Sequence, residues 1–152
     1  MIKKYRTIGR FTFILYILFL LYFLIFSDWY GRTGVYDDYH YNLVPFQEIL
    51  RYWNYRDQLG MLSFTNLAGN ILVFVPFGFL AAMASRKRNF FRTSLDGFLL
   101  SLMVETFQLL TMVGSFDVDD LILNTIGVML GFLGFVFCNG IRRIYDKNKK
   151  RA

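Results

Sequence analysis

Four long apolar runs dominate this sequence, and the segments between them hold most of the charge. The runs cover 11–26, 62–84, 95–113 and 121–138. A helix needs about 20 apolar residues to cross a bilayer core. A chain of 152 residues that is 55% hydrophobic and 20% aromatic is also too apolar for an ordinary soluble domain. The sequence therefore predicts one all-α membrane domain, 1–152, whose four transmembrane helices span approximately 9–28, 62–84, 94–113 and 119–138.

The first run is the shortest and has a competing interpretation. Basic residues precede it, as they precede the apolar core of a secretory signal peptide. The segment that follows, 26–29, lacks the small residues of a cleavage site, and Trp29 or Tyr30 extends the run into the interfacial region that aromatic rings prefer. We therefore expect an uncleaved first helix.

The basic residues lie almost entirely on one side of the predicted spans. Of the 17 Lys and Arg residues, four lie in the first ten residues, four in 85–92 and six after Asn139. The positive-inside rule places these segments in the cytoplasm, so both termini are expected there. Anionic lipid accounts for the net charge of +6, and no nucleic-acid partner is predicted. The lone Cys138 cannot form an intrachain disulfide.

An external segment, 29–60, joins the first two spans and contains one amphipathic pattern. Pro45 suits a first helical turn, and apolar residues then recur at helical spacing from Phe46 to Trp53. The pattern fits a helix on the membrane surface and equally a helix packed on the outer ends of the spans. The predicted residues of this lid or interfacial helix are Asn42, Pro45, Phe46, Glu48, Arg51 and Trp53.

Polar and small residues share one face on each of the last three spans. On the second they are Ser63, Asn66 and Asn70; on the third Gly97, Ser101, Glu105 and Gln108; on the fourth Asp120, Asn124, Gly127, Gly131 and Gly134. At about 1.5 Å of rise per residue, the polar side chains converge in the outer half of the membrane. The predicted polar pocket consists of Asn66, Asn70, Glu105, Gln108, Asp117, Asp119, Asp120 and Asn124.

Packing alone explains part of this pattern. Glycines in a GxxxG arrangement allow close helix approach, and Asn or Gln side chains bond across helices. A charged side chain such as that of Glu105 costs at least about 2.5 kcal/mol to insert into a membrane. A neutral Gln would bond across helices at lower cost, so packing does not require Glu105. The acidic cluster of Asp117, Asp119 and Asp120 either caps a helix amino terminus or, together with Asn124, holds a divalent cation such as Mg²⁺ or Ca²⁺.

Several of these motifs, taken in order, resemble VanZ-like membrane proteins. They are Asn42-Leu43-Val44-Pro45-Phe46; Asn66-Leu67-Ala68-Gly69-Asn70 with Phe74, Pro76 and Gly78; Glu105 with Gln108; and Asp117 through Asp120 with Asn124 and Gly127. The resemblance covers roughly 42–131. It implies a plasma-membrane location and a connection with resistance of Gram-positive bacteria to the glycopeptide teicoplanin, but it specifies no reaction.

Three functions remain open at this point. The first is binding of a cell-envelope lipid or of the head group of a lipid-linked wall precursor, with membrane lipids as partners. The second is a metal-dependent enzyme acting on a lipid phosphate or ester, with Glu105 as acid or base. The third is a helical partner in a membrane complex. No catalytic residue is assigned, since the sequence has no Ser–His pair and His40 is its one histidine. The oligomeric state is not predicted.

Overall fold

The computed structural model describes residues 2–26, 38–85 and 89–149. Within these ranges the fold is all-α, as expected. The helices are α1 (Ile2–Phe26), α2 (Gln47–Asn54), α3 (Arg56–Leu59), α4 (Met61–Ala84), α5 (Phe90–Leu110) and α6 (Val118–Lys149). Two very short strands, β1 (Tyr41–Asn42) and β2 (Phe116–Asp117), pair in parallel. Part of the predicted external segment, 29–37, lies outside the described residues.

Three helices within the described residues are long and apolar enough to cross a membrane. These segments are Arg6–Leu24, Ser63–Ala84 and Val118–Lys149. α5 has 21 residues, a sufficient length, but Asp96, Glu105 and Gln108 lower its hydropathy. Composition therefore supports a membrane protein with three spanning helices, and the fourth predicted span is not established by it.

α4 and α6 run parallel and approach so closely that glycine is required between them. A Cβ atom on Gly127 would overlap the carbonyl oxygen of Ile71, and one on Gly131 would overlap that of Val75. Gly78 of α4 meets the backbone of α6 in the same way. The predicted packing role of the glycines therefore holds for Gly127 and Gly131, whereas a Cβ on Gly134 would lie 4.0 Å from its nearest neighbour.

α1 runs antiparallel to α4 along most of its length. Gly9 meets Met83, and the rings of Phe13 and Phe77 pack edge to face 5.1 Å apart. Further along, the Tyr16 hydroxyl donates to the Val73 carbonyl, beside the position where Pro76 removes a helical N–H. The start of α1, the end of α4 and the later part of α6 therefore lie at one end of the bundle.

The outward faces of the long helices are apolar. Leu18, Leu72 and Leu133 are all more than half exposed, and each belongs to a different helix among those apolar enough to span a membrane. Extensive apolar surface of this kind is rare on soluble monomers. The buried polar side chains include Ser63, Asn70, Ser101, Glu105 and Asn124, so polar groups face inward and apolar groups face outward.

Candidate functional site

A polar cavity of about 400 Å³ lies at the end of the bundle opposite the start of α1. Five predicted pocket residues line it: Asn66, Gln108, Asp117, Asp119 and Asp120. Three predicted lid residues do so as well: Asn42, Glu48 and Arg51. The remaining lining residues are His40, Tyr41, Ile49, Tyr52, Leu67, Gly114, Ser115 and Leu123. The structure thus brings the separated sequence motifs together around one space.

Asp119 holds α2 onto the bundle. Its side chain is only 1% exposed, and its carboxylate accepts the backbone N–H groups of Phe46, Glu48 and Ile49 at 2.5, 2.8 and 3.0 Å. These donors belong to the first turn of α2, where a helix has N–H groups without internal partners and a positive dipole end. Asp119 therefore caps α2 from a distant part of the chain.

The segment leading into α2 has an unusual backbone conformation. Phe46 has φ of 67°, in the left-handed region that non-glycine residues rarely occupy. Two side chains support this path: Asn42 Oδ1 accepts the Val44 N–H at 3.0 Å, and Asp119 accepts that of Phe46. Such strain persists where surrounding bonds over-determine the conformation, and it is concentrated at functional sites.

Asp117 links the same segment to α6. Its Oδ1 accepts the Asn42 amide at 3.1 Å and the Asp119 N–H at 2.8 Å. Asn42 also lies opposite Asp117 in the parallel strand pair, and Phe116 N donates to the His40 carbonyl at 3.0 Å. The Asn42–Phe46 motif and the acidic cluster are therefore one hydrogen-bonded unit, although more than 70 residues separate them.

The remaining predicted pocket residues form hydrogen bonds within the bundle. The buried Glu105 accepts the Asp117 N–H at 3.1 Å, and Asn70 donates to Asp120. Asn124 donates to Ser101 at 2.8 Å, joining α6 to α5. Glu105, Asn70 and Asn124 do not line the cavity. Asn70 and Glu105 contact two residues that do, Asp120 and Asp117, whereas the bond of Asn124 joins two helices.

Gln108 has a double role. It lines the cavity, and its Nε2 donates to the Leu24 carbonyl at 2.8 Å. That carbonyl lies in the last turn of α1. The bond therefore ties the carboxyl-terminal end of α1 to α5.

α2 faces the cavity with polar residues and Ile49, and its other large apolar side chains are exposed, as is that of the preceding Phe46. Glu48 and Tyr52, four residues apart, line the cavity. Phe46, Leu50 and Trp53 are each more than half exposed. Pro45 is exposed as well. The helical spacing from Glu48 would have identified Tyr52 from sequence, because residues four apart share a face.

Within the described residues, no three His, Cys, Asp or Glu side chains are placed to hold a metal ion. The oxygens of Asp117 and Asp119 instead accept backbone N–H groups and the Asn42 amide. Asp117 thus accepts an N–H at the start of α6, whereas Asp119 accepts N–H groups at the start of a different helix, α2.

Two carboxyl groups on the cavity wall have altered acidity. Burial raises the pKa of Glu48, and the neighbouring Asp117 and Asp119 add to this, although Arg51 opposes it. Arg51 forms a salt bridge with Glu48 at 2.5 Å. Burial also raises the pKa of Asp117, despite the Asp119 N–H bond, which lowers it. The wall therefore becomes less negative as the pH falls toward the raised values.

These pKa shifts predict a pH dependence of stability. The ordinary values are 4.5 for Glu48 and 3.8 for Asp117, and both groups have raised pKa values in the folded state. A raised acid pKa stabilises the fold most below the ordinary value, and this contribution is lost as the pH rises through the raised one. We expect the thermal midpoint of the detergent-solubilised protein to fall as the pH rises through the raised pKa values. The decrease should be smaller in Glu48→Gln, which lacks one of the two carboxyl groups. Asp57→Asn, which removes an exposed carboxyl, should retain the wild-type profile; equal profiles in all three proteins would contradict this assignment.

Comparison with known proteins places this arrangement in a family. The VanZ/LLP1 family model matches residues 13–139. The chain belongs to the VanZ/LLP1 family. Protein VanZ of Enterococcus faecium is 29% identical over 132 residues, which cover 85% of this chain and 72% of that protein. No solved structure gives a significant match. The region matched by the VanZ/LLP1 model contains every residue that lines the cavity.

Proposed function

We propose that this protein binds the head group of a cell-envelope lipid, or of a lipid-linked wall precursor, in the outer polar cavity and thereby lowers susceptibility to teicoplanin. The observation that carries the proposal is the position of the cavity. It lies at one end of an apolar bundle, beneath an external helix held by Asp119. A head group at the membrane surface reaches such a space while its lipid chains stay in the bilayer.

In this proposal α5 is the fourth span. Its buried polar residues face the bundle, because Ser101 bonds to Asn124, Glu105 to Asp117 and Gln108 to Leu24. A helix whose polar groups are satisfied by neighbouring helices is tolerated in a bilayer. Four spans place both termini on one side, and the positive-inside rule makes that side cytoplasmic. The cavity then opens toward the outer leaflet of the plasma membrane.

The exposed face of α2 suits the membrane interface. Phe46, Leu50 and Trp53 point away from the bundle. Aromatic side chains, Trp above all, are enriched at the boundary between hydrocarbon and water. In the proposed orientation α2 lies on the outer membrane surface as a shelf, with Glu48 and Arg51 turned toward the head group.

The chemistry of the wall favours a hydroxyl- or amide-rich group over a bare phosphate. Among the described lining residues, four carry carboxyl groups (Glu48, Asp117, Asp119 and Asp120) and one, Arg51, carries a guanidinium group. Asn66 and Gln108 add amide groups that both donate and accept. Sugar and peptide head groups offer matching donors and acceptors, whereas a doubly negative phosphate would meet mainly like charge.

Binding accounts for the geometry better than catalysis does. Among the described residues, no cysteine or lysine lines the cavity, and no three His, Cys, Asp or Glu side chains are grouped to hold a metal ion. His40 is exposed and its Nδ1 lies 3.0 Å from the Asp38 carbonyl oxygen. Retention of a wall precursor or envelope lipid would alter the target or the membrane anchoring of a lipophilic glycopeptide. This consequence links the cavity to the proposed resistance.

The test is teicoplanin susceptibility of a sensitive Gram-positive host that expresses the protein. We expect wild type to protect, and Asn66→Ala and Asp120→Asn to lose protection, since each removes a hydrogen-bonding or charged group from the wall. Loss of one such contact weakens binding by about tenfold. Asp120→Asn keeps an acceptor for Asn70, so the fold should survive.

Membrane abundance of each variant is checked by immunoblot, and Asp57→Asn is the matched control. Full protection by both wall variants at normal abundance would sink the binding proposal and leave a packing role. A purified protein that converts an added envelope lipid into a product would instead support the enzymatic alternative. If wild type gives no protection, the resistance role itself fails.

A further inference from the structure

A second cavity, of about 810 Å³, lies at the opposite end of the bundle from the polar cavity. It is a groove between α1 and α5, floored by α4. α1 packs mainly on α4 and α5 mainly on α6, and α1 and α5 contact each other little, so the space between them remains open. Phe13, Ile17, Phe77 and Leu100 form its apolar wall. The groove shares no lining residue with the outer cavity.

The groove is polar at one end and apolar along the rest. Arg10 of α1 and Arg92 of α5 lie at the end of the bundle where α4 ends and α5 begins. From Arg92 to Met103, also in the lining, α5 rises about 16 Å, which is about the half-thickness of a bilayer core. The groove therefore has the length and polarity of a lipid in one leaflet.

The charge at the polar end selects the head group. Arg10 and Arg92 are both exposed there, and Asp96, one helical turn beyond Arg92, is the one acid among the described lining residues. The lining thus has an excess of positive charge. Guanidinium groups bind phosphate oxygens bidentately, so an anionic phosphodiester complements this end.

We infer that this groove is a binding site for one anionic phospholipid of the leaflet on the basic side of the protein. The phosphate lies against Arg10 and Arg92, and one acyl chain follows Phe13, Ile17 and Leu100 toward the membrane centre. A lipid held there fills the gap between α1 and α5. It therefore stabilises the bundle by mass action as a bound ligand does.

The experiment uses the full chain, purified in detergent, with phosphatidylglycerol and phosphatidylcholine of identical acyl chains. Native mass spectrometry measures retention of each lipid, and the thermal midpoint is followed in parallel. We expect wild type to retain phosphatidylglycerol preferentially. Arg10→Gln with Arg92→Gln should reduce that preference about 30-fold, which corresponds to about fivefold for each arginine.

The matched control is Arg142→Gln with Arg143→Gln, which removes the same charge from exposed positions of α6 outside the groove. It should keep the wild-type preference. Ala81→Phe, which fills the groove, should reduce retention of both lipids; Ala81 is part of the lining. Equal retention of the two lipids by wild type would overturn the inference. So would an equal loss of preference in the control, because general surface charge would then explain the binding.

Discussion

Asp119→Ala is expected to release α2 from the bundle while leaving the spanning helices in place. The substitution removes the acceptor of three backbone N–H groups, from Phe46, Glu48 and Ile49. Hydrogen bonds to charged groups contribute roughly 1.5–3 kcal/mol each. Even a loss of about 3 kcal/mol in the free energy of docking raises amide exchange in α2 by about 100-fold. Hydrogen exchange read by mass spectrometry measures this directly.

In Asp119→Asn the rate of amide exchange in α2 should lie between the rates in Asp119→Ala and in wild type. An amide offers one oxygen acceptor, and its NH₂ group would face backbone donors. The matched control is Asp57→Asn, because the Asp57 side chain is 88% exposed and lies in α3, the next helix after α2. If amide exchange in α2 is the same in Asp119→Ala as in wild type, Asp119 does not anchor α2. Another contact would then hold α2 over the cavity.

Gly131→Val is expected to prevent tight packing of α4 against α6. Even one Cβ atom at this position overlaps the carbonyl oxygen of Val75 and approaches the Phe79 N–H. Backbone atoms cannot move aside as a flexible side chain can, so the helices must separate. Overpacking of this kind typically costs 1–3 kcal/mol and at times more, and we expect about 3 kcal/mol or more here. The readouts are abundance in membranes and the thermal midpoint in detergent.

Gly134→Ala provides the control on the same helix. A Cβ atom there meets only Phe79, at 4.0 Å, which is ordinary van der Waals contact. Alanine also has a helix propensity up to about 1 kcal/mol better than glycine. Gly134→Ala should therefore be as stable as wild type or slightly more so. If Gly131→Val and Gly134→Ala lost equal stability, close approach of the α4 and α6 backbones would not be the reason for glycine at position 131.

The polar cavity could be predicted from sequence only in outline. Helical spacing placed Asn66, Gln108 and Asp120 on faces that converge, and all three line the cavity. Spacing could not assign roles within the cluster, because the partners of Asp119 lie 70 to 73 residues away in the chain. Asp119 proved to be a helix anchor, and Glu105 supports the backbone of Asp117.

Sequence by itself determined the all-α class and the membrane character of this protein. A bilayer requires long apolar helices whose backbone N–H and C=O groups are hydrogen-bonded within the helix. Runs of consecutive apolar residues meet this requirement, so it can be recognised in short stretches of sequence. Tertiary structure alone decided that Asn42 and Asp117 pair, that Phe46 adopts a left-handed conformation and that Arg10 shares a groove with Arg92. Those features depend on which helices are neighbours and how closely they approach, and no local pattern of residues encodes that distance.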